Sequence, residues 1–136
     1  MKYKILIVSA NYYEDISKNL LRDAISTLDK ANIKYETVFV PGVFEIPVII
    51  AKKIKKYNGF IALGCVIKGE TPHFDFVSNA SIYGIMKLSI DSKKPIGNGI
   101  LTCFNKLQAV RRSEIKGRKR KGREAAKAVI SILKYK

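Results

Sequence analysis

The sequence alternates between short apolar segments and longer amphipathic ones, and this alternation is the feature that most constrains the fold. Residues 4–9, 35–40, 60–67 and 95–102 are short and largely apolar, which is typical of strands buried in a parallel sheet. Between the first two segments, residues 14–31 repeat apolar side chains at the spacing of one helix face. Strands separated by helices of this length predict parallel β-α-β units with right-handed crossovers.

Further helices are predicted over residues 44–56, from 71 to about 90, over 106–113 and over 122–135. Pro47 is compatible with the first turn of its helix. Thr71 is predicted to cap the next helix, with Pro72 as its first residue. The sequence therefore predicts a single α/β domain over residues 1–136, with a four-stranded parallel sheet flanked by helices in three layers, flavodoxin-like in plan.

Composition narrows the possible functions. The net charge of +15 favours anionic partners, either small phosphates or nucleic acid, although a general lysine bias explains the charge equally well. No apolar run approaches the roughly 20 residues that span a bilayer, and the apolar start is too short for a secretory signal. A cytoplasmic protein is expected. Cys65 and Cys103 are too few and too far apart for a disulfide framework, so we interpret them as small buried hydrophobic residues.

The carboxyl ends of the predicted strands gather the candidate site residues, because ligands of such sheets bind at this edge. Four segments follow strands there, namely residues 11–13, 41–45, 66–73 and 102–103. His73 is the only histidine and lies in the first turn of a predicted helix, where it could exchange protons near neutral pH or simply be solvated. The preceding residues 69–71 could bind an anion at the helix N-terminus. No second metal ligand lies at suitable spacing, so no metal site is expected.

Three other features have both a functional and a structural interpretation. Tyr12 could stack on a planar ring, or could be a partly buried rim residue. Glu45 could accept hydrogen bonds from a polyol, or only complement a helix dipole. Residues 111–123 include eight basic residues in thirteen. They could form a solvated face, a nucleic-acid surface or a phosphate pocket, and the lack of interleaved aromatic residues counts against single-strand stacking.

Two segments closely resemble one enzyme family. Residues 40–47 (VPGVFEIP) and 62–77 (ALGCVIKGETPHFDFV) are similar to motifs of the lumazine synthases, and residues 98–102, 108–109 and 121–126 extend the similarity along the chain. The resemblance implies a transferase of riboflavin biosynthesis that needs no metal or organic cofactor. It would condense 5-amino-6-(D-ribitylamino)uracil with 3,4-dihydroxy-2-butanone 4-phosphate, giving 6,7-dimethyl-8-ribityllumazine, phosphate and water.

The resemblance also implies roles for the matching residues. The pyrimidine and its ribityl chain are expected to contact Tyr12, Val43, Phe44, Glu45, Cys65, Val66, Ile67, Asn98 and Lys121. The phosphate is expected to contact Glu70, Thr71 and Arg112, with Arg112 in the joint between the last two helices. His73 takes the proton-transfer role, and Asn98 is expected to come from a neighbouring subunit.

Some positions depart from the family pattern. Asn11-Tyr12-Tyr13 stands where many members have Arg-Phe-Asn, and Asn98 stands where many have Phe. The spacing between Arg112 and Lys121 is slightly longer than in some members, which leaves the role of Lys121 open.

The resemblance further implies a homo-oligomer with sites between subunits. Family members form pentamers, which in some members assemble into decamers or sixty-subunit shells. The short segment before the first strand favours an isolated pentamer. Nucleic acid is not expected as a partner of such an enzyme. The residues by themselves leave two alternatives, a basic RNA-binding α/β protein and a flavodoxin-like module that binds a ligand without catalysis.

Overall fold

The strands form one parallel sheet, which confirms the predicted α/β class. The computed structural model describes residues 2–117 and 119–135. The strands are β1 (Lys4–Ala10), β2 (Lys34–Val40), β3 (Gly59–Ile67) and β4 (Ile96–Cys103). Their order is β2-β1-β3-β4, and each neighbouring pair is parallel. The two central strands, β1 and β3, are almost entirely buried, as their continuous apolar sequences require.

Helices cover both faces of this sheet. They are α1 (Glu14–Lys30), α2 (Ile46–Lys53), α3 (His73–Ser92), α4 (Lys106–Ser113) and α5 (Lys121–Lys134). Successive side chains of a strand point to opposite faces, so Ile5 and Ile7 of β1 pack in one core with α1, α4 and α5. Leu6 and Val8 pack in the other core with α2 and α3. The predicted three-layer arrangement is therefore observed.

The predicted helix over residues 44–56 was too long at both ends. A 3₁₀ turn, Val43–Glu45, precedes α2, and α2 ends at Lys53. Pro47 has no N–H, so it cannot make the α-helical hydrogen bond to the Val43 carbonyl. That carbonyl accepts instead from the N–H of Ile46 and from Oγ of Ser81, at 3.3 Å. The missing proline donor thus explains the tighter first turn and ties it to α3.

The helix predicted to begin at Pro72 begins at His73. The Pro72 carbonyl accepts from the N–H of Phe76, and the Thr71 hydroxyl accepts a long bond of 3.4 Å from the N–H of His73. Thr71 therefore gives only a weak cap. The helix ends at Ser92, and the left-handed backbone of the next residue, Lys93 (φ 59°), terminates it.

Candidate active site

A cleft of about 530 Å³ opens at the carboxyl edge of the sheet. Three of the segments predicted to meet at this edge line it together with the start of α3. The lining residues are Tyr12, Tyr13, Gly42, Val43, Phe44, Cys65, Val66, Ile67, His73, Phe76 and Val77. The fourth segment, residues 102–103, is not part of this lining. We call this the histidine cleft.

Close backbone packing holds the walls of the histidine cleft together. A Cβ on Gly64 would lie 2.7 Å from Cγ2 of Val43, so only glycine lets the Val43 turn rest on β3. The N–H of Asn11 donates to the Val40 carbonyl at 3.2 Å, which joins the turns after β1 and β2. Glu45 is half-buried behind this second turn and is not among the lining residues of the cleft.

Two tyrosines form an aromatic wall. Tyr12 is 74% exposed, and its ring makes a T-shaped contact with the ring of Tyr13, with centroids 4.9 Å apart and planes 81° apart. Tyr13 is half-buried and packs on the core, and burial is the main cause that raises the pKa of its hydroxyl. Tyr13 therefore stays protonated and supports Tyr12 from the side, which leaves a ring face of Tyr12 free to stack on a planar ligand.

Cys65 is an apolar part of the wall of the histidine cleft and is not suited to act as a nucleophile. It is buried at the end of β3, and burial, with smaller effects of Cys103 and Asp15, raises the pKa of its thiol to about 12. A thiol in this state holds its proton at neutral pH and is a poor nucleophile. Both cysteines are free and buried, as the sequence predicted.

His73 is the residue of the histidine cleft that is suited to act as a general acid and base, because a histidine ring can both give and take a proton. Its side chain is exposed at the first position of α3. Glu70 and Thr71 are also exposed, but among the residues that the structure describes they line neither this cleft nor the one described next. No lysine or arginine of the described ranges lines the histidine cleft. It can hold an aromatic polyol and move protons, but it offers no cation to a phosphate.

A second cleft, of about 320 Å³, lies beside β4 and carries the missing positive charge. We call it the cation cleft, and its lining residues are Ile100, Leu101, Thr102, Arg112, Lys119, Lys121 and Glu124. Arg112 lies in the last turn of α4 rather than in the joint where it was expected. Its Nη1 lies 4.0 Å from Sγ of Cys103. Three cations around one carboxylate are suited to an anion such as phosphate.

Lys119 and Glu124 line this cleft although the sequence analysis did not select them. Lys121 lies 3.7 Å from Glu124, one helical turn away on α5. Lys119 and Lys121 alternate around Arg120 in the basic segment, and this spacing was the available signal for a shared direction.

Asn98 is separate from both clefts. It lies on β4 opposite Ala62, is half-buried, and its Oδ1 accepts from the N–H of Ile100 at 3.0 Å. One copy of the chain thus gathers most of the predicted pyrimidine side with His73 in one cleft, and Arg112 with Lys121 in another.

Two further kinds of feature were searched for over residues 2–117 and 119–135. Within these ranges there is no cluster of three or more histidine, cysteine or acidic residues suited to a metal ion. No described helix combines the length and the apolar composition needed to cross a membrane.

Comparison with known proteins decides the family. The sequence profile of the family described as 6,7-dimethyl-8-ribityllumazine synthase matches residues 2–136. This chain belongs to the 6,7-dimethyl-8-ribityllumazine synthase family. The family resemblance predicted from the two motifs is confirmed. So is the activity it implied, that of a transferase in riboflavin biosynthesis.

Proteins of that name from three bacteria match almost the whole of this chain. The protein from Bartonella tribocorum is 46% identical over 139 residues, which cover 99% of this chain and 91% of the relative. The one from Sphingopyxis alaskensis is 46% identical over 134 residues, covering 97% and 94%. The one from Agrobacterium fabrum is 43% identical over 145 residues, covering 99% and 95%.

Proposed function

We propose that the histidine cleft of one copy and the cation cleft of a neighbouring copy together form the site of lumazine synthesis. The observation that carries this proposal is the division of chemistry between the clefts. The histidine cleft has the aromatic and apolar walls and His73, whereas the cation cleft has Arg112, Lys119 and Lys121. The reaction needs both, because one substrate is a pyrimidine and the other carries a phosphate.

The pyrimidine substrate fits the histidine cleft. Its ring stacks on the open face of Tyr12 and lies against the end of β3 at Cys65, Val66 and Ile67. The ribityl chain extends along the turn of Val43 and Phe44 towards Glu45, whose carboxylate accepts hydrogen bonds from hydroxyl groups. Asn98 of the neighbouring copy approaches the pyrimidine from the other side.

The phosphate of the second substrate lies between the cation cleft and the start of α3. Arg112 offers a planar pair of donors to the phosphate oxygens, and Lys119 and Lys121 add positive charge. Glu70 and Thr71 bring the backbone before α3 close to the same anion, where free N–H groups favour negative charge. As phosphate leaves, these donors stabilise the charge that develops on it.

The chemistry then follows in four steps. The pyrimidine amine attacks the ketone of the butanone phosphate and forms an imine with loss of water. Phosphate leaves by elimination, the resulting enol tautomerises, and ring closure releases a second water. Holding both substrates in contact supplies much of the rate enhancement. His73 moves protons between the amine, the carbinol and the enol.

The surface of α3 supports an oligomer. Phe76, Tyr83, Met86 and Ile90 are exposed and lie along one side of the helix, opposite its buried residues Ser78, Ser81 and Ile85. An apolar stripe of this kind is typical of a subunit contact. We propose a pentamer, in line with the family. Sedimentation of the active protein as a monomer would exclude both the pentamer and the shared site.

We propose the cytoplasm as the compartment of the reaction. Free, buried cysteines are compatible with its reducing conditions. Cell fractionation tests this point, since recovery of the protein outside the cytoplasmic fraction would contradict it.

The direct test of the function is synthesis of lumazine by the purified, assembled protein. The two substrates are mixed with protein, and product is followed by its absorbance. We expect formation well above the protein-free background, with loss of the signal when either substrate is withheld. A rate equal to background from correctly assembled protein would reject the proposed function and favour the two alternatives, an RNA-binding protein and a ligand-binding module without catalysis.

His73→Ala should lower kcat by about 100-fold while leaving the dissociation constant of the pyrimidine nearly unchanged. A positioned acid–base group contributes roughly 10²–10⁴-fold, and the lower end applies because His73 is exposed and water can partly replace it. Steady-state kinetics and pyrimidine titration measure the two effects. Asp91→Ala, an exposed change at the far end of the same helix, outside both the cleft and the apolar stripe, is the matched control. Unchanged turnover would remove His73 from the mechanism.

A further inference from the structure

A buried ion pair connects α1 with the segment that carries the lysines of the cation cleft. Asp23 is only 2% exposed, and the guanidinium of Arg120, 97 residues away, donates to both of its carboxylate oxygens. Nε lies 3.1 Å from Oδ2 and Nη2 lies 2.6 Å from Oδ1. A buried carboxylate is stable only with such a partner, so this geometry is strongly preferred over one in which Arg120 points to solvent.

Arg120 anchors the carboxyl end of the joint between α4 and α5, residues 114–120. Glu114, Lys116, Gly117 and Lys119 are exposed. In the described part of the joint, which leaves out residue 118, the side-chain hydrogen bonds to another element are those between Arg120 and Asp23. The direction of the joint therefore depends on this pair.

The direction of Arg120 also sets the direction of its two neighbours. Arg120 is the N-cap of α5 (φ −111°, ψ 83°) and lies directly between Lys119 and Lys121, so holding its side chain against α1 constrains the backbone that carries both lysines. With Arg120 turned towards α1, Lys119 and Lys121 turn towards the cation cleft, which both of them line. If Arg120 were released, the two lysines would lose this fixed orientation.

A second contact fixes the same place. A Cβ on Gly122 would lie 2.2 Å from the carbonyl oxygen of Leu20, which shows how closely the start of α5 approaches α1. Leu20 precedes Asp23 by three residues and so lies on the same side of α1. Gly122 and Arg120 thus contact one turn of α1. Together these two contacts define the position and the rotation of the chain at the start of α5.

We propose that Asp23 is a positioning residue of the anion site. Through Arg120 it holds the joint so that Lys119 and Lys121 face the anion bound by Arg112. The identity of that anion as the substrate phosphate rests on the proposed function, whereas the orientation of the lysines does not. Neither Asp23 nor Arg120 touches substrate in this scheme.

Asp23→Asn tests the proposal in the assembled protein, because it keeps the size of the side chain and removes its charge. We expect the KM for the butanone phosphate to rise about tenfold, as for the loss of one charge-assisted hydrogen bond. The KM for the pyrimidine should change less than about twofold on the same scale. Asp29→Asn, an exposed acid of the same helix, is the control and should alter neither value. An unchanged phosphate-substrate KM, or an equal rise in both KM values, overturns the proposal.

Combining Asp23→Asn with substitutions of the two lysines distinguishes a positioning role of Asp23 from a general role in stabilising the fold. Asp23→Asn should add little when Lys119 and Lys121 are already alanine, because the charges that it positions are gone. A full additive loss would show that Asp23 acts elsewhere, and overturns the proposal. Asp23→Glu, which restores the charge, should recover part of the lost affinity, and failure to recover any of it counts against the ion pair.

Two additions keep the test decisive. Should Asp23→Asn not assemble, Arg120→Lys retains the charge but cannot hold both oxygens. It should raise the same KM to a smaller degree, and an unchanged KM in assembled Arg120→Lys overturns the proposal.

If the wild-type protein shows no turnover, which would reject the proposed function, titration with inorganic phosphate still tests the inference. Weaker phosphate binding by Asp23→Asn than by wild type supports it, and equal binding rejects it.

Discussion

Arg112→Ala is expected to lower kcat/KM for the butanone phosphate by about 100- to 1000-fold, the usual effect of removing a donor aimed at developing negative charge. Arg112 is half-buried and shares its cleft with Lys119 and Lys121, so these lysines keep some phosphate affinity when the guanidinium is lost. They lack its planar pair of donors, which is why the loss remains large. The KM for the pyrimidine should stay close to wild type.

Arg111→Ala is the matched control for this experiment. Arg111 lies on the same helical turn, carries the same charge, is exposed and is outside the cation cleft. Steady-state kinetics with each substrate varied in turn should therefore distinguish the two variants. A phosphate-substrate KM unaltered in Arg112→Ala, or an equal effect in Arg111→Ala, would contradict the assigned role.

Gly122→Ala should destabilise the protein by about 3 kcal/mol or more, at the upper end of the effect of overpacking. The added methyl would lie 2.2 Å from the Leu20 oxygen and 3.0 Å from its carbonyl carbon. Both are backbone atoms, which cannot rotate away as the end of a side chain can. Helices α1 and α5 must separate, and this exposes part of the core that includes Leu20, Ala126 and Val129.

Chemical denaturation followed by circular dichroism measures this loss. Gly69→Ala is the control, because a Cβ at Gly69 would meet no atom within 4 Å. Its unfolding midpoint should remain within experimental error of wild type. A Gly122→Ala protein as stable as wild type would show that α1 and α5 do not pack as closely as described. Because Arg120 and Gly122 contact the same turn, a folded Gly122→Ala protein should also bind phosphate less tightly.

The basic segment of residues 111–123 shows how one sequence feature is divided by the fold. Its charge density was compatible with three interpretations, a solvated face, a nucleic-acid surface and a phosphate pocket. In the structure Arg112, Lys119 and Lys121 line one cleft, Arg120 is turned away to pair with Asp23, and Arg111 is exposed. This division favours the phosphate pocket, because it places three cations around one small volume.

Much of the fold and half of the site followed from the sequence alone. Continuous apolar runs identified the buried strands, since a strand covered on both faces has no polar side. The rule that ligands bind beyond the carboxyl ends of such strands, together with the two motifs, predicted that Tyr12, Val43, Cys65 and His73 would meet. These residues directly follow or end strands, so their positions depend on local chain direction.

Tertiary structure decided what local pattern could not. Pro47 delayed the start of a helix because it cannot donate to the Val43 carbonyl, and only the fold supplied that carbonyl with a distant donor, Oγ of Ser81. In the sequence, Asp23 is one polar residue of an amphipathic helix and Arg120 is one of many charged residues. Only the fold brings them into contact, because they are 97 positions apart in the chain. The sequence by itself determined the strands, the helices and the edge of the sheet where the histidine cleft opens, because these depend on short-range periodicity and chain direction. Only the packing of α5 on α1 decided which basic side chains line the cation cleft, because that choice is made by contacts between residues far apart in the chain.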